Sequence, residues 1–308
     1  MKTQHFIDIP DHEADWLNHV LEVATTLRQS REAGRLETML AGKSLVMLSE
    51  KPSLRTRVSF QQAMLELGGH AIVLQQQEVG LGQRESVADF TRVLNGMVHG
   101  IAARVFEHEK LTEMAAYATG PVINALSDRS HPCQAMADVL TMHDEFGPDL
   151  SGRTVAFVGD GNNVACSLAQ LCAKLGIRFV LAAPEGFKLD GSVYKEIRRQ
   201  CPDALLEVTD HPHEAVRQAD AIYADTFVSM GQEDEKAARL ETFAPYQINA
   251  KLLASAPDHA IVLHCLPAYR GIEITDDVMD GPQSRVFPQA HNRLHAQKGL
   301  LAVLLGNA

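Results

Sequence analysis

The sequence predicts an α/β protein of two doubly wound domains with parallel sheets and the active site in the cleft between them. Three observations carry this. Short apolar runs alternate with helical patterns almost to the end of the chain, the order that builds parallel sheets through crossover helices. The 308 residues exceed what a single core of ordinary size holds. The unusual polar residues gather just beyond the carboxyl ends of the apolar runs, where open α/β sheets bind ligands.

The first element is an amphipathic helix marked by Trp16, Leu17, Val20, Leu21, Ala24 and Leu27. Strands are then predicted at Ser44 to Leu48, Ala71 to Leu74, Ile101 to Val105 and Val122 to Leu126. A helix from about Cys133 to Phe146 ends in Gly147 and Pro148 and reads as the bridge between domains. Five more strands follow, at Val155 to Val158, Phe179 to Ala182, Leu205 to Val208, Ala221 to Ala224 and Ala260 to His264. A last helix, Asn292 to Leu305, has no strand after it and is expected to pack back on the first domain. The expected domains are residues 1–145 with the helix of 290–308, and residues 146–289.

Composition narrows the function classes. The chain is 45% hydrophobic and 22% charged, and 28 basic against 39 acidic side chains give a net charge of −11. That charge repels nucleic acid and anionic membranes, and no basic run opposes it. No stretch approaches the roughly 18 apolar residues of a membrane span, and the first residues lack an apolar signal core, so the expectation is a cytoplasmic protein. Cys133, Cys166, Cys172, Cys201 and Cys265 form no CxxC pair and read as reduced thiols. His131 with Cys133, and His264 with Cys265, lack the further ligands a zinc site needs, so no metal is expected.

The polar residues divide by strand. Ser53, Leu54, Arg55, Thr56 and Arg57 lie between the first strand and a helix carrying Val58, Phe60, Ala63, Met64 and Leu67. Pro52 breaks the strand and places Ser53 at the helix N-cap. The unpaired amides of the first turn and the positive end of the helix dipole make an anion site, to which Arg55 adds a two-pronged ligand. An ordinary serine cap with solvated arginines fits the same residues. Arg104 ends the third strand. Ser127, Asp128 and His131 follow the fourth, and Asp160, Asn162 and Asn163 the fifth. Asp225 follows the eighth, and His264 and Cys265 end the ninth. His131 could be a core histidine, although Pro132 behind it suggests a fixed, exposed bend. Gly159 and Gly161 give GxG, but Val164 stands at the third glycine position and no ribose-binding acid ends the next strand, which weighs against an NAD-dependent dehydrogenase.

With SLRTR, HPCQ at 131–134, DGNN at 160–163, DTFVSMGQE at 225–233 and HCLP at 264–267 in this order, the chain resembles the aspartate/ornithine carbamoyltransferase family, most closely its ornithine branch, over roughly residues 40–300. The resemblance implies transfer of the carbamoyl group from carbamoyl phosphate to the side-chain amine of L-ornithine, giving L-citrulline and phosphate with no cofactor. It implies that Ser53, the Leu54 amide, Arg55, Thr56, Arg104, His131, Gln134, the Leu266 main chain and Arg293 bind carbamoyl phosphate. Asn163, Asp225, Ser229, Met230 and Cys265 would bind ornithine, and Arg104, His131 and Cys265 would be catalytic. The residue types suit the chemistry. Attack on the carbonyl puts negative charge on its oxygen, and fixed donors aimed there lower the barrier. An alkylammonium has a pKa of about 10.4 and must lose a proton to attack, so Asp225 and Cys265 would orient and deprotonate it.

Other readings fit some of these residues. Asn162 or Asn163 could be a helix cap, Ser229 to Gly231 a turn, and Arg293 a solvated surface arginine. The charge-rich segment Gln232 to Glu241 could be a mobile lid or a solvated connector. Within the class, the rival acceptors are putrescine and acylated ornithine, which the SMG loop disfavours. A non-catalytic subunit is disfavoured by the intact phosphate and carbonyl ligands. The family pattern is broken at Ser49, where phenylalanine is usual, at His291 in place of glutamate, and at Gly80 in place of a glutamine of the 80s loop, for which Gln83 could substitute. Family members are trimers in which this loop reaches a neighbour's site, so a homotrimer or a multiple of trimers is expected.

Overall fold

The computed structural model describes residues 4–229 and 233–306. The chain forms two compact units, residues 1–140 with 291–308, and residues 141–290. In the first unit a helix α1 (Ala14–Glu32) precedes the alternation β1 (Ser44–Ser49), α2 (Leu54–Glu66), β2 (His70–Gln75), a one-turn α3 (Gln76–Val79), α4 (Val87–Asn95), β3 (Gly100–Arg104), α5 (His108–Tyr117), β4 (Val122–Leu126) and α6 (Pro132–Phe146). The strands form one parallel sheet in the order β2-β1-β3-β4. β3 is buried throughout and β1 at its four middle residues, as a sheet covered on both faces requires.

The second unit continues with β5 (Thr154–Val158), α7 (Asn163–Lys174), β6 (Arg178–Ala182), α8 (Gly191–Gln200), β7 (Leu206–Thr209), a short α9 (Pro212–Ala215), β8 (Ala221–Ala224), α10 (Lys236–Phe243), a short α11 (Ala250–Leu253), β9 (Ile261–His264) and a short α12 (Asp276–Met279). Its five-stranded parallel sheet runs β7-β6-β5-β8-β9. The last helix, α13, spans Val286–Leu305.

Both sheets are parallel and doubly wound, as the sequence predicts. In each, the strand order reverses once, between β1 and β3 and between β5 and β8. At such a reversal the following loops turn to opposite faces and leave a crevice at the carboxyl ends. Most element ends fall within a residue or two of expectation. α13 differs: it starts at Val286, six residues before Asn292, because Pro288 in its first turn needs no intrahelical N–H partner. Gly299 lets α13 approach α1 closely, since a Cβ there would lie 2.6 Å from the Val20 carbonyl and 2.7 Å from Ala24 Cβ. Beside that approach Lys298 Nζ donates to Glu66 at 2.8 Å, both side chains being almost fully buried, and Arg31 Nε donates to the same carboxylate at 2.9 Å.

Candidate functional site

In the first unit the site begins at the β1 terminus. Ser53 has extended backbone and its Oγ accepts from the Thr56 amide at 3.3 Å, so the serine cap exists and opens α2. Capping does not use up the end of the helix, because the first turn has other amides with no intrahelical acceptor. Arg104 ends β3 at a register shift, where Ala103 pairs with Asn124 but Arg104 with Leu126. Such an irregularity re-aims a side chain, and Arg104 is 9% exposed. A cavity of about 240 Å³ opens here, lined by Ser53, Thr56 and Arg104 together with Ser49, Lys51 and Arg57.

His131, Gln134 and Arg293 join this group. Arg293 is buried, which excludes the solvated-arginine reading; its Nη1 donates to Gln134 Oε1 at 2.6 Å and its Nη2 to Thr56 Oγ1 at 3.4 Å. Gln134 Nε2 donates to Asp138 Oδ1 at 2.8 Å, which fixes the amide so that its oxygen faces the arginine. That oxygen keeps a second lone pair for a ligand NH₂. Burial, then the Arg293, Arg104 and Arg55 guanidiniums, hold the His131 imidazole well below its ordinary range. It is therefore neutral at physiological pH and presents one donor nitrogen without adding a charge. Cys133 is inert by comparison: burial pushes its thiol up to about 12 and its Sγ donates to the Asn124 carbonyl at 3.3 Å.

Two residues that the sequence reading passed over support the β1 and β3 ends. Glu50 accepts from the Phe106 amide at 2.7 Å and from Lys110 Nζ at 2.9 Å, while its own amide donates to the Arg104 carbonyl at 2.8 Å. Lys51 stands 4.3 Å over the Phe106 ring, and burial followed by the Arg104 charge lowers its pKa. A lysine two positions before the capping serine is the only sequence signal for it. Gly80 takes φ +67°, and a Cβ there would lie 2.8 Å from Arg84 Cβ, so the local turn excludes the usual glutamine. Gln83 is exposed and does not line the cavity.

In the second unit Asn162 caps α7, its Oδ1 accepting from the Val164 and Ala165 amides at 2.9 and 3.1 Å. The other end of the same side chain donates to Asp225 Oδ2 at 2.7 Å. Capping and site-building are thus one act, and Asn163 is placed at the first position of the helix. Cys265 Sγ donates to Asp225 Oδ1 at 2.9 Å, which brings the β8 and β9 termini together. His264 is fully engaged: its Nδ1 accepts from the Leu266 amide at 2.9 Å, its Nε2 lies 3.2 Å from Glu273 Oε1, and its amide donates to Gln289 Oε1 at 2.7 Å. Leu266 has φ +56° and precedes a cis peptide to Pro267. The positive φ is unusual for leucine.

Among the described residues Asp225, His264 and Cys265 could together hold a metal ion, with ligand atoms within 4.8 Å of one another. The ligating His264 nitrogen and the Cys265 thiol would first have to give up the hydrogen bonds just described. The GxG pair serves packing: a Cβ on Gly161 would lie 2.5 Å from the Leu189 amide, and the Gly161 amide donates to the Phe187 carbonyl at 2.7 Å. The space a pyrophosphate would need is filled by the chain itself. Met230 lies outside the described residues, with Gly231 and Gln232, while Ser229 follows Asp225 on the same loop. In the segment after it residues 234–238 are exposed, whereas Arg239 on α10 is 4% exposed.

Two family models match the chain in succession. The carbamoyl-P binding domain of aspartate/ornithine carbamoyltransferase matches residues 4–144, and the Asp/Orn binding domain matches residues 151–304. The ornithine carbamoyltransferase of Methanopyrus kandleri is 46% identical over 309 residues, covering 99% of this chain and 98% of that protein. That of Brucella suis is 48% identical over 299 residues, covering 97% and 95%. The solved ornithine carbamoyltransferase of Pyrococcus furiosus superposes with a TM-score of 0.96 at 44% identity, covering 99% of this chain and 98% of that one. The chain belongs to the aspartate/ornithine carbamoyltransferase family.

Proposed function

We propose that this protein transfers the carbamoyl group of carbamoyl phosphate to the side-chain amine of L-ornithine, releasing L-citrulline and phosphate. The observation that carries the reading is the cluster of Arg55, Arg104 and Arg293 around a neutral His131 at the β1 and β3 ends. Three guanidiniums suit a doubly charged phosphate, and a neutral imidazole suits a carbonyl oxygen that gains charge only as the reaction proceeds. Ser53, the Leu54 amide and Thr56 complete the phosphate grip. Gln134 and the Leu266 main chain take the carbamoyl NH₂.

The amino acid is held by the second unit. Asn163, Ser229 and Met230 take its α-carboxylate and α-amino groups, and Asp225 with Cys265 receives the side-chain amine. That amine arrives as an ammonium and loses a proton toward the Asp225–Cys265 pair. Its lone pair then forms a bond to the carbonyl carbon, and the C=O π pair moves onto oxygen, beside Arg104 and His131. Collapse of the tetrahedral intermediate re-forms the C=O and breaks the C–O bond to phosphate, which leaves with the electron pair and takes up the second proton of the amine nitrogen. No electron is gained or lost overall, so the step needs no redox cofactor.

We propose a homotrimer, or a multiple of it, in the cytoplasm. An exposed apolar stripe on α2, Leu54, Val58 and Leu65, supports self-association, and no helix of the described residues is long and apolar enough to cross a membrane. Sedimentation analysis tests the assembly. The activity is tested by incubating the protein with carbamoyl phosphate and, separately, ornithine, N-acetylornithine, putrescine or aspartate, and measuring ureido product. Product from ornithine alone is expected; product from putrescine, acetylornithine or aspartate but not from ornithine overturns the assignment.

A further inference from the structure

Arg239 is a buried cation in a charge-rich stretch, and its guanidinium is engaged within the second unit. Its Nε donates to the Phe227 carbonyl at 2.7 Å and its Nη2 pairs with the Asp160 carboxylate. The guanidinium plane lies 4.9 Å from the Phe187 ring and 5.3 Å from the Phe243 ring, and Glu235 Oε2 lies 3.8 Å from Nη1. Phe227 itself stacks on Phe243 at 5.0 Å.

What this guanidinium joins is informative. Phe227 sits midway between Asp225 and Ser229, and Asp160 sits two residues before Asn162, which donates to Asp225. One side chain therefore ties the loop after β8 to the loop after β5, beside the Phe243 ring that α10 also sets against Phe227. Planar, five-donor geometry is needed to reach a carbonyl and a carboxylate while standing over aromatic rings, and a lysine ammonium cannot do all three. We propose that Arg239 is a positioning residue for the amino-acid substrate: it clamps the Asp225–Ser229 loop against the Asp160–Asn163 turn and so sets affinity for the free α-amino acid. It touches no reacting atom. The inference rests on the reading that these two loops bind that substrate.

The test compares wild type with Arg239→Lys and Asp160→Asn in steady-state assays, and measures norvaline, which shares ornithine's α-centre but lacks the side-chain amine, as an inhibitor. The ornithine KM of Arg239→Lys is expected to rise at least tenfold, and the norvaline Ki by a similar factor. The carbamoyl phosphate KM and the kcat at saturating ornithine should stay within about twofold. Asp160→Asn should move the same constants in the same direction by less, and the double variant should be no worse than Arg239→Lys, because the pair acts as a unit. A lowered melting temperature with unchanged ornithine KM and norvaline Ki would mean a merely structural role and overturn the proposal, as would additive effects in the double variant. Should Arg239→Lys fail to fold, an unchanged ornithine KM in Asp160→Asn overturns it alone. Wild type that makes no product from ornithine fails the functional reading itself, a result distinct from all of these.

Discussion

The two half-sites answer opposite demands with opposite materials. At the β1 and β3 ends the proposed ligands are guanidiniums, a neutral imidazole and an amide, with Arg104, His131, Gln134 and Arg293 all buried. At the β5, β8 and β9 ends they are a carboxylate, a thiol and a cap asparagine, and Asn162, Asp225 and Cys265 are all partly exposed. The first set is closely packed before any ligand arrives, with Arg293 already on Gln134 and Thr56. On the function proposed above, a doubly charged donor molecule would be met by preformed, partly desolvated cations, where fixed charge is worth most, and the contrast between the two regions lies there. A zwitterionic acceptor is met by short polar groups that leave its net charge alone.

The largest expected effect comes from breaking the cationic side. Arg55→Ala should lower turnover by 10³-fold or more, while far-UV circular dichroism and melting temperature stay close to wild type. Unchanged turnover would remove Arg55 from the mechanism. On the other side, Cys265→Ala deprives Asp225 of its thiol donor and should lower kcat roughly 10²-fold, in the range of a lost proton-transfer partner. The carbamoyl phosphate KM should stay put. If it rises along with the loss of kcat, the two half-sites are not separable as described.

A smaller change sharpens the electrostatic contrast. Gln134→Glu keeps the shape but sets a carboxylate between Arg293 and the substrate phosphate, so the carbamoyl phosphate KM should rise about tenfold with the ornithine KM unaffected. A fall in that KM would show that the pocket wants still less positive charge.

The smallest effect concerns pH. Burial and then the Arg28, Arg31 and Lys298 charges hold His295 down at about 4, and His131 is also depressed. Between pH 6.5 and 4 the unfolded chain binds protons at these positions that the folded chain does not, so their contribution is present above pH 6.5 and is lost as the pH falls. Asp8, raised to about 7 by burial, acts in the opposite sense, its folded carboxyl holding a proton the unfolded one releases. Urea unfolding at pH 7.5, 6.5, 5.5 and 4.5 should show a shallower acid loss for His295→Asn than for wild type. Parallel curves would remove His295 from the acid response.

Much of this was legible in the residues because α/β folds announce themselves locally. A strand buried on both faces needs an unbroken apolar run, a helix needs a 3.6-residue period, and the loop at a strand's carboxyl end carries the polar groups. Ser53, Arg104, Asp225 and Cys265 could therefore be placed beside strand ends before any contact was known. The GxG of residues 159–161 shows the limit of such reading, since the same glycines that could face a pyrophosphate here face the backbone of residues 187–189. Arg239 shows it again. Its neighbours Glu235, Lys236 and Glu241 make it look solvated, and only the Asp160 and Phe227 loops, 79 and 12 residues away in the chain, reveal it as buried.

By itself the sequence determined which strands form, where most of them begin to within a residue or two, and which side chains stand at their ends, because these depend on neighbours within a turn or two. Tertiary structure alone decided the strand orders, hence the crevices beside β1 and β5, and the neutrality of His131. It also decided the choice of Glu50 and Arg239 as supports. Those depend on groups distant in sequence sharing one low-dielectric space, where a charge is tolerated only beside the partner that the fold delivers.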